Sequence, residues 1–144
     1  MSDLEERFSG ALHNTSRAWR QALDRRLKYL GMSQASWMTI AVAAKASSPL
    51  SQSELADRLA VEGATMVAMV DRLMKAGWVV REPSASDRRV KRVVLTQAGN
   101  LLYGKVRAEA AAFRKELLAH IDPKKLLVAT ELLEALQGIL DAVP

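Results

Sequence analysis

The sequence predicts a mainly α-helical protein with a small β-hairpin. Apolar residues recur at spacings of three and four over most of the chain, which is the period of an α-helix. Two short runs, WVVR and RVVLT, are instead rich in valine and typical of β-strands. The 144 residues, 49% of them hydrophobic, can form one domain, alone or with an added oligomerisation element.

The first third of the chain predicts two helices. Gly31 is a natural end for a helix over 3–30, and Ser33 can cap a second helix over 34–46. The second helix is apolar on nearly all sides, so we expect it to be buried all round. The first helix carries one apolar stripe, made of Leu4, Phe8, Leu12, Thr15, Trp19, Leu23, Leu27 and Leu30.

The middle of the chain predicts two helices joined by a tight turn. Ser51 and Glu54 have the spacing of a capping box, which starts a short third helix that ends near Ala60. The turn is expected at Gly63, and a fourth helix at 64–76. The expected core face of the fourth helix is Val67, Val70, Leu73 and Met74.

The last third predicts the hairpin and two more helices. Gly77 stands where a left-handed residue ends a helix, and the two strand-like runs follow it. Thr96 can cap a long helix over 97–120, and Asp122 can cap a final helix that extends to Leu140.

Together these elements predict a winged helix-turn-helix flanked by N- and C-terminal dimerisation helices. A short helix, a turn and a second helix followed by a two-stranded wing form a DNA-binding arrangement, which we assign to residues 33–96. The outer helices, 1–32 and 97–144, carry more apolar surface than a compact winged helix needs. Such surface is most simply covered by a second copy of the chain, so we expect a homodimer.

The composition of the chain further limits the classes of function that we expect. The net charge of +5 favours a polyanionic partner such as nucleic acid or an anionic membrane surface. The absence of cysteine excludes disulfides, thiolate catalysis and cysteine-ligated zinc. No apolar run is long enough to span a bilayer and the first residues do not resemble a signal peptide, so a cytoplasmic protein without a membrane partner is expected. The sequence shows no catalytic or phosphate-binding motif. We therefore expect that the protein is not an enzyme and binds no cofactor or metal.

The hairpin tip carries more positive charge than a turn requires. Two acids, Glu82 and Asp87, accompany five cations, namely Arg81, Arg88, Arg89, Lys91 and Arg92. The tip alone fits two interpretations equally well, a DNA contact or a charged edge that blocks aggregation. The helix-turn-helix upstream favours DNA, because phosphate contacts need such charges. Asp87, two residues from Arg89, can orient the Arg89 guanidinium by a charge-assisted hydrogen bond.

Three segments resemble the MarR family of transcription regulators. SASDRRVKRVVLTQAG is similar to the family's wing, with matches at Asp87, Arg89, Leu95, Thr96 and Gly99. VDRLMKAGWVVR, residues 70–81, is similar to the end of its recognition helix and the start of the wing. Residues 17–40 resemble the SlyA branch, with matches at Trp19, Arg26, Leu27, Gln34 and Trp37.

The resemblance implies a homodimer in which interlocked terminal helices join two winged helices. The residue at the position of Arg89 enters the DNA minor groove, and the residue at the position of Asp87 braces it. Repression relieved by small phenolic or aromatic acids is also implied, with Arg17 and Trp37 beside a ligand pocket. Core packing is the alternative role of Trp37, and the more frequent one for tryptophan. Ligand-binding relatives have threonine and histidine where this chain has Ala35 and Ala41, so the pocket would be more apolar.

The recognition helix departs from the family's usual sequence. Relatives commonly have a hydroxyl residue and an arginine where this chain has Val67 and Ala68. We therefore expect weak major-groove readout and an A·T-rich inverted repeat as the DNA partner. An architectural or protein-binding module without strong sequence preference is the alternative. The residues expected to contact DNA are Ser51, Gln52, Glu62, Thr65, Arg72, Lys75, Asp87, Arg88, Arg89, Lys91 and Arg92.

Overall fold

A computed structural model describes residues 2–144 of the chain, with side chains from Asp3 onward. The expected fold class is confirmed: the chain is mainly α-helical and carries one small antiparallel sheet. Two compact units divide it, one up to Ala111 and one from Ala112 to Pro144. The elements are α1 (Ser2–Leu27) with a 3-10 turn (Lys28–Leu30), α2 (Gln34–Lys45), β1 (Leu50–Ser51), α3 (Gln52–Leu59), α4 (Gly63–Lys75), β2 (Val79–Pro83), β3 (Lys91–Leu95), α5 (Gln97–Leu118) and α6 (Pro123–Asp141).

The helix caps expected from the sequence are confirmed. Ser33 Oγ accepts a hydrogen bond from the backbone N–H of Ser36 at 3.1 Å. Asp122 accepts one from the N–H of Lys124 at 3.0 Å and so starts α6. Gly31 and Gly77 have φ values of 72° and 85°, the left-handed conformation that favours glycine at a helix end.

The turn between α3 and α4 differs from the expectation. Gly63 is the first residue of α4 and has no positive φ, whereas Ala60 lies in the left-handed region with φ 54°. The N–H of Ala60 donates to the carbonyl groups of Ala56 and Asp57, which closes the end of α3. These hydrogen bonds offset the cost of a left-handed conformation for an alanine.

The core of the helix-turn-helix also differs from the expectation at two points. Only Trp37, Thr39 and Ile40 are buried in α2, so this helix is not buried all round in the single chain. Val67 and Met74 of α4 were expected in the core but are 41% and 36% exposed. The buried face of α4 is rotated relative to the expected one and consists of Met66, Met69, Val70 and Leu73.

The sheet has three strands in the order β1-β3-β2, all antiparallel. The sequence predicted β2 and β3 but not β1, which is only two residues long and pairs Leu50 with Val93. β1 leads directly into α3, so the sheet joins the wing to the start of the helix-turn-helix. This pairing fixes the base of the wing against α3.

The start of α5 packs closely against the two residues that precede β2, Gly77 and Trp78. Thr96 donates from its backbone N–H to the carbonyl of Trp78 at 3.0 Å and from its hydroxyl to the carbonyl of Gly77 at 2.6 Å. Gly99 is buried at this contact, and its N–H donates to the Thr96 hydroxyl at 3.1 Å, as expected for a cap. A Cβ at position 99 would lie 2.0 Å from the Trp78 carbonyl oxygen.

We therefore expect Gly99→Ala to lower the free energy of unfolding by about 1–3 kcal/mol, because a methyl group must displace backbone at a packed contact. Gly104→Ala is the matched control, since it lies in the same helix and has no atom within 4 Å of an added Cβ. Alanine there is expected to raise stability by up to about 1 kcal/mol. Urea denaturation followed by circular dichroism measures both. Equal stability of the two variants would contradict the close contact.

Candidate nucleic-acid interface

The tip of the wing is an ordered turn. The N–H of Ser84 donates to the carbonyl of Val90 at 2.8 Å, and the N–H of Val90 donates to the carbonyl of Asp87 at 3.0 Å. Ser84 is buried, and its hydroxyl lies 3.0 Å from that of Ser86. These bonds close the hairpin beyond the last strand pair, Pro83 with Lys91. The side chains of the tip therefore extend from a defined backbone.

Asp87 holds Arg89 as the sequence predicted. The carboxylate accepts hydrogen bonds from Arg89 Nε and Nη2, both at 3.2 Å, and from the Arg89 N–H at 3.0 Å. These side-chain and backbone hydrogen bonds lower the pKa of the Asp87 carboxyl from its ordinary value. The Arg89 side chain remains 91% exposed. The guanidinium is thus oriented but accessible, an arrangement suited to insertion into an anionic groove.

The other cations of the tip differ in exposure. Arg88 and Lys91 are exposed, whereas Arg92 is half-buried and lies opposite Glu82 in the strand register. Exposed cations contact phosphates at low cost in desolvation. Arg88 and Lys91 are therefore the better candidates for phosphate contacts, and Glu82 partly offsets the charge of Arg92.

The hydroxyl of Ser51, a residue predicted to contact DNA, is part of a helix cap. Its hydroxyl accepts from the N–H of Glu54 at 3.1 Å, and the Glu54 carboxylate accepts from the N–H of Ser51 at 3.0 Å. This reciprocal bond is the predicted capping box, and it lowers the pKa of the Glu54 carboxyl. Ser51 is also buried. Its side chain is therefore used to start α3.

Arg81 points into the protein, although the sequence grouped it with the cations of the tip. Its Nη2 donates to Asp71 of α4 at 2.7 Å and to the carbonyl of Val67 at 3.4 Å. Its Nε donates to the side-chain oxygen of Gln52 in α3, and its Nη1 lies 3.2 Å from the sulfur of Met74. One guanidinium thus joins the wing to both helices of the helix-turn-helix. The bond occupies one acceptor position of the Gln52 oxygen and leaves both amide N–H groups of Gln52 available to DNA.

We expect Arg81→Ala to weaken specific DNA binding by roughly tenfold, because the wing and α4 lose a charge-assisted link of about 1.5–3 kcal/mol. The salt dependence of binding should not change, since Arg81 neutralises no phosphate in this arrangement. Gel-shift titrations at several salt concentrations measure both quantities. Lys91→Ala is the matched control and should lower the salt slope. A slope that falls equally in both variants would mean that Arg81 contacts DNA instead.

The predicted DNA-contacting residues of α4 lie on its exposed side. Glu62, the N-cap, makes no side-chain capping bond, and Thr65, Arg72 and Lys75 are all exposed. The Arg81 link connects this helix to α3 and β2, so side-chain hydrogen bonds hold together the segments that carry the predicted contacts. The sequence missed the link itself. Strand alternation could have indicated it, because Arg81 shares the face of buried Val79.

The two residues predicted to bind a ligand take part in separate interactions. Arg17 is exposed and donates from Nη2 to Asn14 at 3.1 Å. Trp37 is 6% exposed, and its indole N–H donates to Asp24 at 3.0 Å. This is the core packing considered as the alternative for Trp37. Their joint ligand role stays a prediction.

A cleft of about 160 Å³ lies between α2 and the start of α4. Gln34 and Thr39 on α2 and Thr65 on α4 contribute polar groups to a lining that is otherwise mainly apolar. The remaining lining residues are Ala35, Met38, Leu59, Val61, Met66 and Met69. A molecule in this cleft would touch the recognition helix directly.

The fold of this chain recurs in proteins of known structure. Residues 30–90 match the MarR family. The crystal structure of the transcriptional regulator PA3341 superimposes with a TM-score of 0.86 at 38% sequence identity, over 94% of this chain and 99% of PA3341. The chain belongs to the MarR family. Proteins of this MarR family are transcription regulators and not enzymes, and they bind DNA as dimers.

Two more distant structures share the fold. CouR from Rhodococcus jostii RHA1, bound to p-coumaroyl-CoA, has a TM-score of 0.81 and 23% identity, with 98% of this chain and 96% of CouR covered. MarR from E. coli in its apo form has a TM-score of 0.78 and 22% identity, with 89% of this chain and 95% of MarR covered. At these identities the likeness concerns architecture alone.

Residues 2–144 contain no helix that is both long and apolar enough to cross a membrane. Within the same residues, no three histidine or carboxylate side chains come together as a metal site.

Proposed function

We propose that this MarR-family chain is a homodimeric, sequence-specific DNA-binding transcription regulator. The observation that carries the proposal is the orientation of Arg89 by Asp87 at the tip of an ordered, cationic wing. An oriented, exposed guanidinium loses little entropy on entering a narrow minor groove, where A·T-rich DNA concentrates negative potential. Arg88 and Lys91 beside it supply phosphate contacts.

The proposed homodimer rests on apolar surface at the chain termini. Large apolar side chains of α1, α5 and α6 are exposed in the single chain, well beyond the few scattered ones of a typical monomer. A second copy would bury them, and an obligate interface of this kind covers more than about 2,000 Å². The exposed residues in this set are Leu4, Phe8, Leu12, Leu117, Leu132, Leu133 and Leu140. Phe113 and Leu136 are half-exposed. We propose residues 1–32 and 97–144 as the dimerisation region, of which Met1 lies outside the described residues.

The proposed operator is an A·T-rich inverted repeat. A two-fold symmetric dimer recognises two half-sites whose centres are about one helical turn apart. α4 would enter the major groove, but Ala68 cannot form the bidentate guanine contact that an arginine makes. Arg89 in the minor groove therefore carries a larger share of specificity.

The proposed regulation is repression, relieved by a small aromatic acid or phenolic compound. CouR, which shares the fold, was crystallised with p-coumaroyl-CoA. The cleft between α2 and α4 offers an apolar volume next to the recognition helix. Arg17 and Trp37, the ligand residues that the resemblance implies, do not line this cleft, so they would form a separate ligand site. We also propose that the chain belongs to the SlyA branch of the family.

An architectural or protein-binding role is the second candidate, favoured by the few hydrogen-bonding side chains on α4. Selection of binding sites from random duplexes, followed by gel shifts at two salt concentrations, separates the candidates. A regulator enriches an inverted repeat and prefers it at both concentrations. Equal binding to every duplex supports the architectural role, and no binding supports a protein partner.

A further inference from the structure

The outward face of α4 carries one exposed hydroxyl residue, Thr65, in its first two turns and is otherwise apolar there. Successive residues of an α-helix are rotated by about 100°, so Ala64 and Ala68 lie opposite the buried side of this helix. Val67 lies next to them on the side of Arg81, to which its carbonyl is bound. All three residues are exposed, Val67 at 41%. The buried side consists of Met66, Met69, Val70 and Leu73.

Charge is distributed unevenly along the same face. Between Glu62 and Asp71 no residue of α4 is charged, and Asp71 is paired with Arg81. Arg72 and Lys75 follow in the last turns. Residues near the start of a recognition helix contact base edges, while later ones reach the phosphates. The part of α4 expected at the bases therefore presents mainly methyl groups, and the part expected at the backbone is cationic.

We propose that Ala64, Val67 and Ala68 form a methyl-reading strip that recognises thymine through its 5-methyl group. The proposal rests on the proposed DNA-binding function and names the major-groove chemistry of the same site. Thymine alone among the four bases presents a methyl group in the major groove, and apolar side chains contact it favourably. The strip has no hydrogen-bonding side chain with which to distinguish the other three bases.

The geometry of the strip is fixed before DNA arrives. A valine in a helix has one strongly preferred rotamer, so the Val67 methyl groups have a defined direction. The Arg81 hydrogen bonds to the Val67 carbonyl and to Asp71 hold this part of α4 against the wing strand. Ala64 and Ala68 add no rotamers and allow the helix axis to approach the bases closely. Little side-chain entropy is lost on binding.

Deoxyuridine substitution tests the strip, because it removes the thymine methyl and leaves base pairing unchanged. The operator selected from random duplexes is resynthesised with each thymine pair, one per half-site, replaced by deoxyuridine. We expect at least one position at which the dissociation constant rises about fourfold per methyl removed, and so by more than tenfold for the symmetric pair.

Variants of the protein test whether the loss of affinity on deoxyuridine substitution depends on the strip. Val67→Ala should weaken binding to the thymine operator and abolish the deoxyuridine penalty at one position. Val67→Thr, which keeps the shape and replaces one methyl by a hydroxyl, should reduce the same penalty. The control is Val80→Ala, an exposed valine of β2 at 39% that lies outside α4 and should keep the full penalty.

Two negative results have different meanings. A protein that selects no sequence at all overturns the proposed function itself. If the protein selects an inverted repeat, two results overturn only the methyl-reading strip. One is that the deoxyuridine operators bind within twofold of the parent operator. The other is that both Val67 variants keep the full deoxyuridine penalty. Circular dichroism of both variants confirms that the helix is intact.

Discussion

Replacing Arg89 by alanine is expected to remove most of the sequence-specific DNA affinity. A well-placed arginine contact with DNA contributes about 1–3 kcal/mol, and a symmetric dimer loses one contact at each half-site. The combined loss is about 2–6 kcal/mol, or roughly thirtyfold to more than ten-thousandfold in the dissociation constant. The fold should not change, because the Arg89 side chain is 91% exposed and its hydrogen bonds to Asp87 lie within the turn at the tip of the wing.

Gel-shift titration of the selected operator and of a scrambled duplex measures the effect. Lys91→Ala is the matched control in the same wing, and it should weaken both duplexes alike. Its salt slope should fall by about 0.9 for each phosphate contact removed. Arg89→Ala should instead weaken the selected operator far more than the scrambled duplex. A variant that binds the operator like the wild type would show that the wing is not the minor-groove reader.

Replacing Asp87 by alanine should give a milder form of the same defect. The guanidinium of Arg89 remains but loses the carboxylate that orients it. Removing an anion near the phosphates should also leave non-specific binding unchanged or stronger, so the ratio of specific to non-specific affinity falls. Because Arg89 lowers the pKa of the Asp87 carboxyl, the brace persists at neutral and mildly acidic pH. It is lost only as the pH falls through that lowered pKa.

Local rules were sufficient to predict the long helices and the two strands of the wing, but not the two-residue strand β1. Capping residues such as Ser51 and Asp122 act on backbone groups within three residues, so their effect is readable from sequence. The Asp87–Arg89 brace is also local, spanning two positions of one turn. The wing and the predicted caps agree with the structure for this reason.

Contacts between distant segments were not predictable in the same way. Arg81 looked like another tip cation, and only the packing of β2 against α3 and α4 shows that it binds Asp71 and Gln52. The assignment of Val67 to the core failed similarly, because methionine at positions 66 and 69 fills the interior equally well. Hydrophobic periodicity alone leaves the rotation of such a helix undecided. The turn at Ala60 departs from expectation because two backbone hydrogen bonds outweigh an unfavourable φ.

Charge placed in the proposed dimer interface is expected to have the largest effect on the protein. Leu133→Glu puts a carboxylate on α6 at a position that is 43% exposed in the single chain and, by the proposal, buried between two copies. An uncompensated buried charge costs about 3–5 kcal/mol, and each dimer contains it twice. The dimer dissociation constant should therefore rise more than a thousandfold. DNA binding should fall with it, because a single half-site is held by only one wing.

Sedimentation velocity at micromolar concentration, with circular dichroism on the same samples, measures the assembly and the fold together. Wild type should sediment as a dimer, and Leu133→Glu as a monomer or an unfolded chain. Glu134→Gln, the next residue of the same helix, changes a charge on its polar side and should remain dimeric. Leu132→Glu, at 51% exposed, provides a second position in the proposed interface and should behave like Leu133→Glu. A folded wild-type monomer would contradict the proposed interface. So would dimers of both Leu132→Glu and Leu133→Glu. The apolar side chains of the termini would then have to bind a different partner.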